Sequence, residues 1–350
     1  MPKRVNHIFD EKLKFELMVE AFYRAAKGKR ENKEVILYEM NLAENVTNLL
    51  KDVYLGRYKP GIYRKFTVFE PKQREILALP FRDRVLHQWY VEEFIKPIFL
   101  PNFIDETYAC IPNRGLHKAM EKLKFYIRCK YNQNRDFYFL KCDIAKFFNN
   151  IDKEILFQII ARKVKDQKFL HLTKCIIFDG TGKIKIPIGN YTSQFFANIY
   201  LNELDHFVKE KLKIKYYVRY MDDFILLLDT KEEAKLVLAQ IDQYLAERLH
   251  LKLNKKTNYF KLSQGVNFCG FKIFLNKAYL SKVNKKSIYK RVKSWNKLYQ
   301  KGRLDLEKSW ASLQSWTGHA KYASNEIAKD VVNQCDWIYE NCDRKGQTYE

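Results

Sequence analysis

Tyr216-Tyr217-Val218-Arg219-Tyr220-Met221-Asp222-Asp223-Phe224-Ile225-Leu226-Leu227-Leu228 is the stretch whose reading decides the fold. Aromatic and aliphatic runs flank two acids, the pattern of a β-hairpin with carboxylates near its tip. Taken alone, an Asp-Asp pair in such a place is ordinarily no more than a polar turn. A second segment changes its weight. Phe137-Phe139-Leu140, with Tyr138 between them, form another compact apolar strand that runs straight to Asp143. Carboxylates delivered to a sheet rim from separate segments are what two-metal phosphoryl transfer needs, with two cations roughly 3.5–4 Å apart offsetting the repulsion among the acids.

The rest of the chain alternates helix and strand around these two segments. Residues 1 to about 60 read mainly as helix, with Leu13, Leu17 and Phe22, then Val46, Leu49, Leu50 and Val53, at helical spacing. Gly56 and Pro60-Gly61 end that region. Residues 62–80 predict two strands joined around Pro71-Lys72-Gln73-Arg74. Helices are expected over 81–98, 115–130, 145–164, 192–212 and 231–249, and strands near 258–262 and 267–274. Residues 281–303 hold nine Lys or Arg and no acid, while Ile288, Val292, Trp295 and Tyr299 keep one apolar stripe. That is a basic amphipathic helix, packed on one face and open to phosphates on the other. Trp310, Trp316 and His319 sit among apolar neighbours and read as core.

Composition indicates the partner. The 350 residues carry 64 Lys plus Arg against 41 Asp plus Glu, a formal charge of +23, which favours a polyanion such as nucleic acid. An anionic membrane surface is the rival, weakened because no stretch approaches the ~20 apolar residues of a span. The start of the chain lacks the apolar core of a signal peptide, so the expected compartment is the cytoplasm. Seven cysteines without a C-x-x-C pair argue against a disulfide framework or zinc finger, and read as buried small hydrophobes.

In order along the chain, these motifs resemble those of reverse transcriptases. Lys141-Cys142-Asp143-Ile144-Ala145-Lys146-Phe147-Phe148 resembles motif A, Ile186 to Gln194 (I-P-I-G-N-Y-T-S-Q) motif B, and Tyr220-Met221-Asp222-Asp223 motif C. Leu253-Asn254-Lys255-Lys256-Thr257 is similar to motif D and Phe268-Cys269-Gly270-Phe271 to the primer grip. Pro71-Lys72-Gln73-Arg74 and Pro112-Asn113-Arg114-Gly115 resemble fingers motifs. The resemblance covers roughly 45–275. It implies an α/β (α+β) right-hand polymerase with fingers, palm (an antiparallel sheet plus helices) and helical thumb. On this chain those would be an N-terminal helical extension at 1–60, fingers at 61–135 with part of 150–190, a palm at 136–275 and a basic thumb at 276–350.

The resemblance also implies roles. Asp143 and Asp222 would ligate two Mg²⁺ (or Mn²⁺), with Asp223 completing the acidic cluster and the Ile144 carbonyl within reach. Lys72 and Arg74 would clamp the triphosphate of a dNTP, and Lys256 is a candidate general acid for pyrophosphate. Phe148 occupies the steric-gate position, where a ring leaves no room for a 2′-hydroxyl, whereas Phe147 reads as core. Arg114 would contact template or dNTP, and Tyr220, Met221, Phe268 and Gly270 the primer. Template RNA and an RNA/DNA duplex are the implied partners.

Motif B separates the subclasses. Most of the family carries Gln before the glycine, where this chain has Ile188. The pattern I-G-N-x-T-S-Q resembles reverse transcriptases of diversity-generating retroelements, which copy template adenines with errors and use a small basic accessory protein. Ile188 and Gln194 are then the candidate fidelity residues, although packing of the motif B helix accounts for them as well. A group II intron maturase would extend further, a retron enzyme would carry a different Y-x-D-D and a V-T-G element, and a retroviral enzyme would append RNase H. A reverse transcriptase of an anti-phage defence system stays open. So do an RNA-dependent RNA polymerase, which usually has a polar gate residue, and a non-catalytic RNA-binding scaffold.

Overall fold

A computed structural model describes residues 4–69, 73–323 and 325–338 of the chain. Lys72 and Cys342 lie outside them. Four helices open the chain, α1 (Phe9–Lys12), α2 (Phe15–Ala26), α3 (Lys33–Met40) and α4 (Leu42–Tyr54). The hairpin β1 (Arg64–Val68) and β2 (Arg74–Ala78) follows, then α5 (Phe81–Tyr90), a π turn (Val91–Ile95), α6 (Lys96–Phe99) and α7 (Leu116–Gln133). Strand β3 (Tyr138–Asp143) leads to α8 (Phe147–Asn150), α9 (Lys153–Lys163), α10 (Gln167–Ile177) and α11 (Tyr191–His206). Next come β4 (Tyr217–Tyr220), β5 (Asp223–Leu228), α12 (Lys231–Leu249) and β6 (Asn258–Lys261). Strands β7 (Val266–Phe268), β8 (Phe271–Ile273) and β9 (Ala278–Leu280) precede α13 (Lys282–Tyr299), α14 (Leu306–Ala320) and α15 (Asn325–Asn333). The class is the mixed α/β one expected.

Strands β4, β5, β3 and β6 form one sheet in that order, and β7-β8-β9 an antiparallel one. The chain divides into two compact units. The first comprises Met1–Gly115, Cys142–Ile225 and Lys235–Asn258, and the second Leu116–Lys141, Leu226–Ala234 and Tyr259–Glu350.

The first unit is built on aromatic packing. The Phe9 ring meets Trp89 edge-on at 6.1 Å and stacks with Phe94 at 5.8 Å, while Tyr90 stacks on Phe169 at 5.5 Å. Trp89 Nε1 donates to the Lys12 carbonyl, and the Ile8 and Phe9 amides donate to Asp166 Oδ2. The N-terminal helices therefore share a core with α5 and α10, a helix the sequence reading passed over. In the second unit the expected stripe of Ile288, Val292 and Trp295 is buried with Trp310, Leu313 and Trp337, and Trp295 meets Trp337 edge-on at 5.7 Å.

Two expected elements are divided. The helix over 145–164 becomes α8 and α9: it begins only after left-handed Lys146 (φ 45°) and is interrupted at Ile151, whose backbone is extended, after which the Asp152 carboxylate caps a fresh helix by accepting from the Glu154 and Ile155 amides. The strand over 267–274 is a hairpin, β7 and β8, turned by Cys269 (φ 51°) and Gly270 (φ 85°) so that Phe268 pairs with Phe271. The cysteine reading is also corrected. Of the six described cysteines only Cys142 and Cys335 are buried; the other four are partly exposed, and all six are free thiols. Among the described residues no helix is long and apolar enough to cross a membrane.

Candidate active site

The hairpin that opened the sequence reading forms as strand, turn and strand, with Met221 and Asp222 as its two-residue turn and Asp223 beginning β5. Met221 is left-handed (φ 57°), uncommon for a long side chain. Backbone hydrogen bonds bring motif A and motif C together. The Ile144 amide donates to the Asp222 carbonyl at 3.3 Å, so the residue after Asp143 is stitched to the catalytic-candidate turn. Motif D backs the same strand end. The Asn254 amide donates to the Asp143 carbonyl at 2.7 Å and the Ala145 amide to the Lys252 carbonyl at 2.9 Å. The Asp143 amide in turn donates to Thr257 Oγ1 at 3.3 Å.

In front of this turn, within the first unit, lies a cavity of about 680 Å³. Its wall unites Arg74, Phe148, Ile188, Gln194, Tyr220, Met221, Asp222 and Asp223, residues the sequence singled out separately. Phe147, also on its lining, is 2% exposed and serves the core as expected. The cavity also holds Lys29, Arg84, His87 and Gln88, which lie in none of the motifs, and Lys146 and Asn190, which lie in motifs A and B with no role assigned to them. Lys29 comes from the turn between α2 and α3 and Lys146 from the left-handed bend before α8, so neither announces itself in the sequence. Four cations, Lys29, Arg74, Arg84 and Lys146, thus line the same space as two acids.

Motif B is seated by contacts that explain its glycine. The Leu77 amide of β2 donates to the Ile188 carbonyl at 3.0 Å. Gly189 has φ 129°, and a Cβ there would lie 2.8 Å from the Leu77 carbonyl oxygen, so only glycine allows this approach. Ser193 Oγ donates to the Pro187 carbonyl at 2.6 Å, and the Ile186 amide to the Phe148 carbonyl at 2.9 Å. Thr192 Oγ1 lies 3.1 Å from Nδ1 of buried His87, whose pKa burial pushes down to about 4 against a smaller opposing pull from Asp179.

Asn190 is held from beneath by a buried polar chain. Its Nδ2 donates to Tyr63 Oη at 2.8 Å, Tyr63 Oη donates to Asp179 Oδ2 at 2.5 Å, and Asp179 Oδ1 takes Lys153 Nζ at 2.7 Å and Thr181 Oγ1 at 2.6 Å. The Lys153 and Asp179 side chains are 0% and 1% exposed. Burial pushes the Asp179 carboxyl up, but the donors from Lys153, Thr181 and Tyr63 outweigh it and leave its pKa below the ordinary value.

Other candidates stand elsewhere. Arg114 Nη1 donates to the carbonyls of Ile104 and Thr107 at 2.6 and 2.8 Å, and Nη2 pairs with Asp105, so its guanidinium ties its own loop together. Lys256 is exposed, with its amide bonded to Asn254 Oδ1. Phe268 and Gly270 belong to the second unit. There Phe268 is buried, and a Cβ on Gly270 would come within 2.7 Å of Asn284 Nδ2. Beside that turn His319 packs its ring on Phe271 at 4.4 Å, and burial followed by neighbouring His117 lowers its pKa.

Among the described residues no three His, Cys, Asp or Glu side chains group to hold a metal by themselves. Mg²⁺ rarely asks for such a cage. It keeps several waters and takes one or two carboxylates, with substrate phosphates supplying the rest. The hard oxygens of Asp143 and Asp222, carried by backbone that is hydrogen-bonded between the two segments, are a donor set of that kind.

The model of the family described as reverse transcriptase (RNA-dependent DNA polymerase) matches residues 63–273. Curated relatives include protein YkfC of Escherichia coli K12, 23% identical over 68% of this chain and 73% of its own length. The group II intron-encoded protein LtrA of Lactococcus lactis is 23% identical over 66% of this chain and 50% of its own. The retron Ec73 reverse transcriptase of E. coli is 28% identical over 44% of this chain and 49% of its own. The chain thus spans about half the length of the last two.

Proposed function

Because the chain belongs to the reverse transcriptase family and carries its RNA-directed DNA polymerase domain, we propose that it copies a template RNA into error-prone cDNA as the reverse transcriptase of a diversity-generating retroelement. One observation carries this: Ile188 and Gln194 line the same cavity as Asp222, Phe148 and Arg74. The aliphatic side chain of motif B then faces the nascent base pair, where it offers none of the polar contacts that orient a nucleotide. Substrates are dNTPs on an RNA/DNA duplex, and a small basic accessory protein fits the same reading.

Asp143 and Asp222 are the residues that would hold the divalent ions in this proposal, with Asp223 and the Ile144 carbonyl as further candidate ligands. When bound, two such ions activate the primer 3′-hydroxyl and stabilise the departing pyrophosphate. Arg74, with Lys29 and Lys146 on the same wall and Lys72 two positions earlier in the sequence, receives the triphosphate. Lys256 is the proposed proton donor to pyrophosphate. Tyr220 and Met221 bear on the primer terminus, and Phe268 and Gly270 are the proposed primer-contacting residues of the second unit. Arg114 serves by shaping its loop. In this proposal the fingers are residues 61–135 with part of 150–190, the palm 136–275 and the thumb 276–350, and the basic face of α13 grips duplex phosphates without regard to sequence.

Sequencing the RNA and cDNA that copurify with the protein tests the subclass. Substitutions concentrated at template adenines are expected; faithful or repetitive cDNA would instead support the defence reading. Phe148→Ala tests sugar selection. A 2′-hydroxyl forced against the ring costs about 1–3 kcal/mol, so removing the ring raises ribonucleotide incorporation relative to dNTP by roughly 10- to 100-fold. An unchanged ratio in a primer-extension assay removes Phe148 from the gate.

A further inference from the structure

Arg219 lies one residue before the Tyr220-Met221-Asp222-Asp223 turn, in a position where the hairpin reading gave it no task. Its side chain and that of Asp205 on α11 are both 0% exposed. Burying such a pair is costly, and apolar side chains of similar volume commonly serve stability as well or better. The geometry shows where the guanidinium is spent. Nε donates to Asp205 Oδ1 at 2.7 Å, and Nη2 to Asp205 Oδ2 at 2.5 Å and Thr107 Oγ1 at 3.4 Å. Nη1 donates to Asn198 Oδ1 at 3.1 Å and to the Met221 carbonyl at 3.0 Å. The five N–H donors of the group thus have five acceptors.

The carboxylate is equally committed. Besides the guanidinium, Asp205 accepts from Tyr217 Oη at 2.7 Å and Thr107 Oγ1 at 2.8 Å. Arg219 is also held by its backbone, its amide donating to the Glu106 carbonyl and its carbonyl accepting from the Tyr108 amide. A group fixed on so many sides has one acceptor that is not core, the carbonyl of left-handed Met221. The next carbonyl along the chain, that of Asp222, receives the Ile144 amide.

We propose that the Arg219–Asp205 pair positions the Met221-Asp222 turn, holding Met221 in its left-handed conformation and so aiming the Asp222 carboxylate at the place where Asp143 is delivered. This deepens the polymerase reading and rests on it. Arg219 is a positioning residue that acts through the Met221 carbonyl.

Arg219→Lys separates this role from folding. An ammonium keeps the charge paired with Asp205, but as a compact point donor it cannot also reach Met221 and Asn198. With poly(rA)/oligo(dT), dTTP and Mg²⁺, kcat is expected to fall on the order of 10²-fold, as misplacement of a reacting group does. KM for dTTP and duplex affinity stay within about twofold of the unmodified protein. Hydrogen exchange adds a readout independent of turnover: the Ile144 amide, bonded to the Asp222 carbonyl, should exchange on the order of tenfold faster with Tm little changed. The double variant Asp205→Leu/Arg219→Met leaves no buried charge behind and is expected to reproduce the kcat loss in a folded protein. Unchanged kcat in either variant, or a loss matched by equal losses of Tm and duplex binding, overturns the proposal. Absence of incorporation by the unmodified protein would sink the polymerase reading instead, and faster Ile144 exchange would still support the turn's dependence on Arg219.

Discussion

Asp222→Ala lowers dTTP incorporation on poly(rA)/oligo(dT) by on the order of 10³-fold or more, while the protein keeps its Tm and its affinity for duplex. Divalent ions held at developing charge contribute several kcal/mol to a phosphoryl-transfer transition state, and each 1.36 kcal/mol is a factor of ten. The side chain lies on the wall of an open cavity and is partly exposed, so its loss makes no hole in the core. The turn itself is held by main-chain atoms, the Met221 carbonyl bonded to Arg219 and the Asp222 carbonyl to the Ile144 amide, and these survive the substitution. A polar hairpin turn without catalytic duty would lose a few tenths of a kcal/mol of stability and no activity. Primer extension therefore decides between the two readings of the same pair of acids, and a variant with normal activity would return the chain to the RNA-binding scaffold.

The second large effect concerns stability. Lys153→Met removes one member of a buried ion pair at 2.7 Å and leaves the Asp179 carboxylate without its ammonium. Breaking such a pair costs about 3–5 kcal/mol, which corresponds to a fall in Tm on the order of 10 °C. Calorimetry of the variant against the unmodified protein measures it, and a shift of a degree or less would show that Thr181 and Tyr63 satisfy the carboxylate by themselves. The pH dependence has a definite sign. The folded pKa of Asp179 is depressed, so its stabilisation is complete above the unfolded carboxylate value and disappears as pH falls through the folded one. In Lys153→Met the acid-side loss of stability should be correspondingly smaller. Because Tyr63 links Asp179 to Asn190, the same variant loosens a residue of the cavity wall.

The expected hairpin, the strand before Asp143 and the basic amphipathic helix at α13 were all legible because each is a local pattern. Alternating or continuous apolar runs bounded by turn residues require no knowledge of partners. The family's motifs were legible for a related reason, since chemistry dictates short runs of residue types at the ends of elements. Failures of reading occurred where a local conformation depended on a distant contact. The break at Ile151 and the fresh helix capped by Asp152 lie inside an unbroken helical pattern. Cys269 and Gly270 turn back what reads as one strand, so that β7 pairs with β8 and β8 in turn with β9. The cysteines were read from an average tendency, which does not determine where individual thiols sit.

By itself, then, the sequence determined the mixed α/β class, the acids at a hairpin tip and the polymerase family, because these are written in residue type and short-range order. Only the tertiary structure decided what stands around that hairpin. Lys29, Arg84 and His87 enter the cavity wall from segments with no motif of their own, and Arg114 turns inward to its own loop. Arg219, one letter in an apolar strand, proves to be the group with five donors beneath the turn. The physical reason is that a side chain's role follows from the acceptors it meets. Those acceptors lie on α11, on the 104–108 segment and on the turn, which come together only when the chain folds.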